Sequence, residues 1–508
     1  MLARLLQVRV SALTRALVGR YFHTNAGLAT QTNTYEDVTH PEIFQKVDVK
    51  EIISRFRELG PFPADSSVLN PQHYYQNQSV LDWMFKHKSH PVTLRQLAGF
   101  GRRLTREKIL TSANFVRIEL PTRLAMRLED LQRLPFGVTN NFHLVQVYES
   151  YCHAFNLFRK YPKITSLEEN DAFNEFLSRL LDEHLMVLPH LVMGALECSI
   201  SQVLPPQALD QFISSLLRLR ISRRVIIEEH LSLSKSFKAS PHEEKPADYI
   251  GDLFYQCDAV DTLQKVALLI KDSLAAQYPD ISMPELKIDT TTANKLVKFP
   301  FLISHLHFIF GEILRNSFDA TLQHHIAQCQ ANGTDPKTIS PPPISINIVE
   351  LKTDILFRFS DRGGGIEDDI LSNIWSFGKP PDISSESLLN FHLLPGLELS
   401  SESVLQTSQL AVPSSPTHFS RKEAPLTKDV LVSTSLQDNM SARGGSLNTL
   451  TTRPYEFKLG LGLAMCKVYV DYWNGEIKMH SMKGYGSDTF LKLTRLGEVG
   501  TKAQMDRA

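Results

Sequence analysis

The spacing of apolar residues changes period partway along this 508-residue chain, and no single-class fold accommodates the change. From about Val47 to Leu233 apolar side chains recur at helical intervals with few strand signals, as in Val49 to Leu59, Thr93 to Phe100, Phe176 to Leu196 and Gln207 to His230. The stretch Ser234 to Tyr249 is polar and carries Pro241 and Pro246, which marks a boundary. Beyond it, short apolar runs alternate with helical ones: Val266 to Leu274, a helix from His305 to Gln328, strands Ile344 to Val349 and Ile355 to Phe359, a helix Leu461 to Tyr472, and strands Glu476 to Ser481 and Thr489 to Leu493. The expected class is therefore α+β: an all-α bundle over 45–235, then an α/β sandwich over 250–495. Residues 380–455 interrupt the second part. They are rich in Ser, Thr, Leu and Pro without sustained period, which predicts a long mobile segment with room for short helices.

Charge and cysteine content exclude more than they assign. With 54 basic and 55 acidic residues the net charge is -1, so nothing argues for a nucleic-acid partner. The five cysteines are scattered without C-x-x-C spacing and read as ordinary thiols. No apolar run reaches the roughly 18 residues of a membrane span. Residues 1–25 differ from the rest: Arg4, Arg9, Arg15 and Arg20 alternate with Leu, Val and Ala, and no acid precedes Glu36. A helix here would be cationic and amphipathic, the pattern of a mitochondrial transit peptide.

Four segments could carry chemistry. On the helix around Gly311 to Thr321, a rotation of about 100° per residue gathers Glu312, Asn316, Asp319 and Gln323 into one polar stripe, opposite Leu306, Phe310, Ile313 and Leu314. Taken alone, that stripe equally describes a solvated face. The run Phe357 to Ile366 is a strand ending in Asp361-Arg362-Gly363-Gly364-Gly365. Its carboxylate can accept the amino hydrogen of an adenine, and its glycines let backbone approach a base. Leu459-Gly460-Leu461-Gly462-Leu463-Ala464 opens a helix, whose free N–H groups suit phosphate. Lys483-Gly484-Tyr485-Gly486-Ser487 is a glycine turn into the last strand.

Each segment is weak alone, but their order resembles the ATP site of the GHKL superfamily with its Bergerat fold, shared by gyrase B, heat-shock chaperones, histidine kinases and MutL. The resemblance implies ATP as substrate, Asn316 as the ligand of a Mg²⁺ ion and Glu312 as the catalytic base. It also implies Asp361 as the adenine contact, with Asp319, Gly363, Gly365, Gly460, Leu461, Gly462 and Ser487 as the remaining nucleotide-binding positions, and 380–455 as a lid. The segments Phe115 to Ala125, Thr93 to Leu97 with Phe100-Gly101, and Arg218 to Arg224 with Glu229-His230 are similar to those of mitochondrial pyruvate dehydrogenase kinases and branched-chain α-ketoacid dehydrogenase kinases. That narrower resemblance implies a matrix protein serine kinase that inactivates the decarboxylase subunit of either complex, docks on a lipoyl domain through its helical half and dimerises, without nucleic acid or membrane span.

The chain departs from that family at identifiable places. Phe308 stands where many members have histidine, with His305 nearby as a packed or capping residue. Asp319 stands where a basic residue is usual, and Lys458 replaces the first of three lid glycines. No Asp-Trp motif follows the last strand. Two rivals share the motifs: an autophosphorylating histidine kinase, for which His242 is the candidate acceptor, and an ATPase clamp of the MutL or heat-shock type. The His305, His307, His324 and His325 group lacks the partners of a zinc site.

Overall fold

The computed structural model describes residues 78–90, 92–93, 100–240, 253–291, 296–392, 447, 450, 453, 458–496 and 504–505. The expected transit peptide, Val49 to Leu59, His242 and most of the 380–455 segment lie outside them. All described residues belong to one compact unit, 56–508.

The helical half runs α1 (Gln78–Lys86), α2 (Arg106–Gln132), α3 (Phe136–Thr139), α4 (Phe142–Lys160), α5 (Leu167–Glu183), α6 (Val187–Ile200) and α7 (Pro206–Ala239). Local signals set the starts. The Thr105 hydroxyl accepts from Lys108 N at 3.3 Å at the head of α2, and Ser166 with Glu169 forms a reciprocal capping box before α5. Two of the segments that carried the narrower resemblance, Phe115 to Ala125 and Arg218 to Arg224 with Glu229-His230, are largely interior: Arg123 is buried, donates to Glu119 at 2.8 Å and to the His90 carbonyl at 2.9 Å, and Arg223 lies over the Tyr151 ring. Two expectations need correction. Helix α7 continues through Ser234 to Ala239, because no residue there breaks it before Pro241. Thr93 is not helical: Val92–Thr93, two β-branched residues, form β1.

The second half runs β2 (Tyr255–Asp258), α8 (Ala259–Gln277), β3 (Leu286–Thr290), β4 (Lys298–Phe301), α9 (Ile303–Ala331), β5 (Ile344–Glu350), β6 (Asp354–Ser360), α10 (Asp368–Ser372), α11 (Pro381–His392), α12 (Gly462–Tyr472), β7 (Glu476–Met482), β8 (Gly486–Thr494) and β9 (Gln504–Met505). Five strands form one sheet in the order β3-β5-β6-β8-β7, antiparallel except for the β3–β5 pair. Alternation puts Ile346, Phe359, Ile348, Phe357 and Leu491 on the buried face in matching register. Helix α9 lies against that face: the Phe310 ring stands 5.1 Å from Phe357, and Leu306, Ile313 and Leu314 are buried beside it. Strand β2 pairs with β4, and β1 pairs with β9. One apolar core runs through both halves.

Candidate active site

Helix α9 buries its apolar flank, and the stripe from Glu312 to Asp319 emerges along the edge of that contact. The structure distributes the stripe unequally. Glu312 is buried, Asn316 one turn on is exposed, and Asp319 is half-buried. Glu312 faces two neighbours. A Cβ at Gly462 would stand 1.9 Å from Glu312 Oε2, so the start of α12 rests directly on the carboxylate and any side chain there would displace it. From the other side Arg453 clasps it: Nη2 donates to Oε2 at 2.9 Å, Nη1 donates to Oε1, and both side chains are almost wholly buried.

Asp361 directly follows β6 and is held where three donors converge. Oδ1 accepts the backbone N–H of Gly363 at 3.0 Å and of Ser487 at 3.2 Å, and Oδ2 accepts the Ser317 hydroxyl at 3.3 Å. Burial pushes its pKa up against the opposing pull of those bonds. Because Ser317 sits next to Asn316 on α9, this bond ties the Asp361 loop to the polar stripe. The loop turns in little space. Gly365 has φ +74° with the Met482 carbonyl 2.2 Å from any added Cβ, and a Cβ at Gly363 would meet Ala320 of α9 at 2.4 Å. Ser487 takes its place through its backbone and its hydroxyl contact with Ser481 at 3.0 Å.

The segment entering α12 completes the arrangement. Gly460, at φ +67°, abuts Ser387 of α11, and Leu461 is fully buried. Lys458 Nζ reaches Asp319 at 2.8 Å. The two departures at these positions therefore complement one another: the cation missing from the helix is supplied by the loop. Burial lowers the pKa of Arg315 to about 10, with Arg453 adding to the effect. Glu312 and Asp319 thus face Arg315, Arg453 and Lys458, so acids and bases interleave around this end of the site.

Sequence reasoning missed Arg453, which stands in a segment without periodicity and carries no motif, and Ser317, whose role only the loop opposite reveals. His305 is a packing residue: its Nδ1 accepts from Trp473 Nε1 at 3.0 Å, and burial lowers its pKa to about 3, helped by Arg224 and Arg220. Phe308 is buried and packs on the Tyr469 ring. Among the described residues no group of three or more His, Cys, Asp or Glu could hold a metal, and no helix is long and apolar enough to cross a membrane. Asn316 offers a single exposed amide oxygen. That suits a magnesium ion which takes most of its ligands from phosphates and water.

Comparison with known proteins identifies the family. Residues 91–254 match a family described as mitochondrial branched-chain alpha-ketoacid dehydrogenase kinase. The chain is 40% identical over 466 residues to pyruvate dehydrogenase (acetyl-transferring) kinase 2, mitochondrial, of Saccharomyces cerevisiae, covering 88% of this chain and 91% of that one. It is 24% identical to the Arabidopsis thaliana mitochondrial kinase of the same name, over 80% and 91% of the two chains, and 25% identical to human isozyme 4, over 80% and 81%. The chain belongs to the family of mitochondrial pyruvate dehydrogenase and branched-chain α-ketoacid dehydrogenase kinases.

Proposed function

We propose that this protein is a serine kinase of the mitochondrial matrix that transfers the γ-phosphate of Mg·ATP to the decarboxylase subunit of the pyruvate dehydrogenase complex and thereby inactivates it. The observation that carries the reading is Glu312 and Asn316, one helical turn apart on α9, joined through Ser317 to the Asp361 loop. The names of the relatives supply the substrate. In this reading Asp361 accepts the adenine amino hydrogen through Oδ2 while Gly363 and Gly365 give the base room. Backbone N–H groups from Gly460 to Gly462 receive the phosphates at the start of α12. Glu312 takes the proton of the attacking serine hydroxyl, and it needs a free oxygen to do so. The Arg453 clasp therefore opens before transfer. Asn316 would hold a magnesium ion, which would supply positive charge to offset that of the phosphates. Alignment of the groups contributes most of the rate. The helical half docks on a lipoyl domain of the complex, and the active form is a dimer.

The test incubates the full chain with Mg·[γ-³²P]ATP and, separately, pyruvate dehydrogenase and branched-chain complexes. Acid-stable label on serine of the pyruvate dehydrogenase decarboxylase is expected, while acid-labile label on the chain itself would favour the histidine-kinase rival. Glu312→Gln should keep nucleotide binding and lose transfer by about 100-fold or more. Label on neither complex overturns the assignment.

A further inference from the structure

Lys458, on the segment entering α12, and Asp319, on α9, form an ion pair close to the start of α12. Asp319 is three residues beyond Asn316 on α9, so the two side chains are surface neighbours, roughly 5–6 Å apart at Cβ. Lys458 lies two residues before Gly460 and four before Gly462, whose backbone rests on Glu312. Its main chain is pinned, since Asn390 of α11 donates to the Lys458 carbonyl at 3.1 Å. Its side chain is half-exposed, and its ammonium sits 2.8 Å from Asp319 Oδ2. Gln323 donates to the other oxygen, Oδ1, at 2.7 Å and fixes the carboxylate in place. A long flexible stem on a fixed backbone can swing its charge to a new partner without moving the loop.

We propose that Lys458 is a phosphate-binding residue of this site, held by Asp319 until nucleotide arrives and then transferred to the β- or γ-phosphate. The inference rests on the ATP-site reading above. Triphosphate carries more charge than a single carboxylate, so it competes for the ammonium, and Asp319 keeps the side chain aimed at the site meanwhile. Removing Lys458 therefore does two things: it deletes a cation and exposes an anion beside the phosphates. Removing the Asp319 charge does the reverse.

Opposite signs separate this role from a structural one. Calorimetry on the full chain with Mg·ATP, Mg·ADP and adenosine should show Lys458→Met weakening Mg·ATP by about ten-fold or more, the worth of a charge-assisted hydrogen bond. Mg·ADP should weaken less or equally, and adenosine not at all. Asp319→Asn should tighten Mg·ATP several-fold, because the lysine is no longer held. If Lys458→Met and Asp319→Asn weaken Mg·ATP alike, or if Lys458→Met weakens adenosine as much as Mg·ATP, the pair is merely structural and the inference falls. The same holds if Lys458→Met binds Mg·ATP as the unaltered chain does. Failure of the unaltered chain to bind any of the three would instead overturn the ATP-site reading.

Discussion

A guanidinium and a carboxylate out of water, as in Arg453 and Glu312, need each other more than they help the fold. Desolvating both roughly cancels their attraction, whereas deleting one strands the other at a cost of roughly 3–5 kcal/mol. Arg453→Met should therefore lower unfolding free energy by about that amount in urea titrations. Adding Glu312→Gln should return most of it, and a single variant as stable as the unaltered chain would show that the pair is not buried in solution. Asp361 makes a prediction of a different kind. Its pKa is raised above the ordinary 3.8, mainly by burial, so the free site protonates at a higher pH than an exposed aspartate does. A protonated carboxyl is a poorer acceptor for the adenine amino group, so adenosine affinity should fall on acidification through that raised value. Asp361→Asn should bind weakly and without that pH dependence. For folding the sign reverses: a raised acid binds protons better folded than unfolded, so this group's contribution is present at low pH and is lost as pH climbs from 3.8 through the raised value.

At the scale of elements the site depends on three segments with no space between them. Gly486 at the start of β8 faces the Asp361 carbonyl, and an added Cβ would come within 2.1 Å of that oxygen and 2.9 Å of Arg362 Cα. Backbone cannot swing aside as a side chain can, so Gly486→Ala must push β8 away from the Asp361 loop. A loss of roughly 1–3 kcal/mol in stability, with adenosine binding lost well before the fold, is expected from melts and calorimetry run together. Retained binding would mean the loop is not fixed by this contact. These contacts explain what was legible beforehand. The order of α9, β5, β6, α12, β7 and β8 could be read from period and glycine placement, because each element buries one face and each turn has its own chemistry. Strand β4 could not: Pro300 inside Lys298–Phe301 argues against a strand, and it is tolerated because this ribbon has only two strands. Arg453 was illegible for another reason. A single cation becomes informative only when the fold brings it onto Glu312, 141 residues earlier.

Across the whole molecule the helical half and the α/β half are joined by polar groups that burial keeps neutral or closely packed. Arg220 of α7 reaches the Tyr469 hydroxyl of α12 at 3.4 Å, and His305 of α9 sits beneath Trp473 with Arg220 and Arg224 near enough to disfavour its charge. Burial similarly lowers His190 to about 3 and His230 to about 4. All three histidines titrate near 6.5 once unfolded. The unfolded chain therefore binds protons that the folded chain refuses. Stability from these groups is complete above pH 6.5 and declines as pH falls below it, with each histidine contributing a slope of about 1.4 kcal/mol per pH unit until its folded value is reached. Carboxylates titrate over part of the same range, so the discriminating measurement is a difference. Unfolding free energy from urea titrations at pH 6.0, 5.5 and 5.0 should fall less steeply for His305→Gln than for the unaltered chain, by about one proton's worth of slope. Parallel slopes would mean that His305 already takes a proton in the folded protein, and that the seam between the halves is open to water.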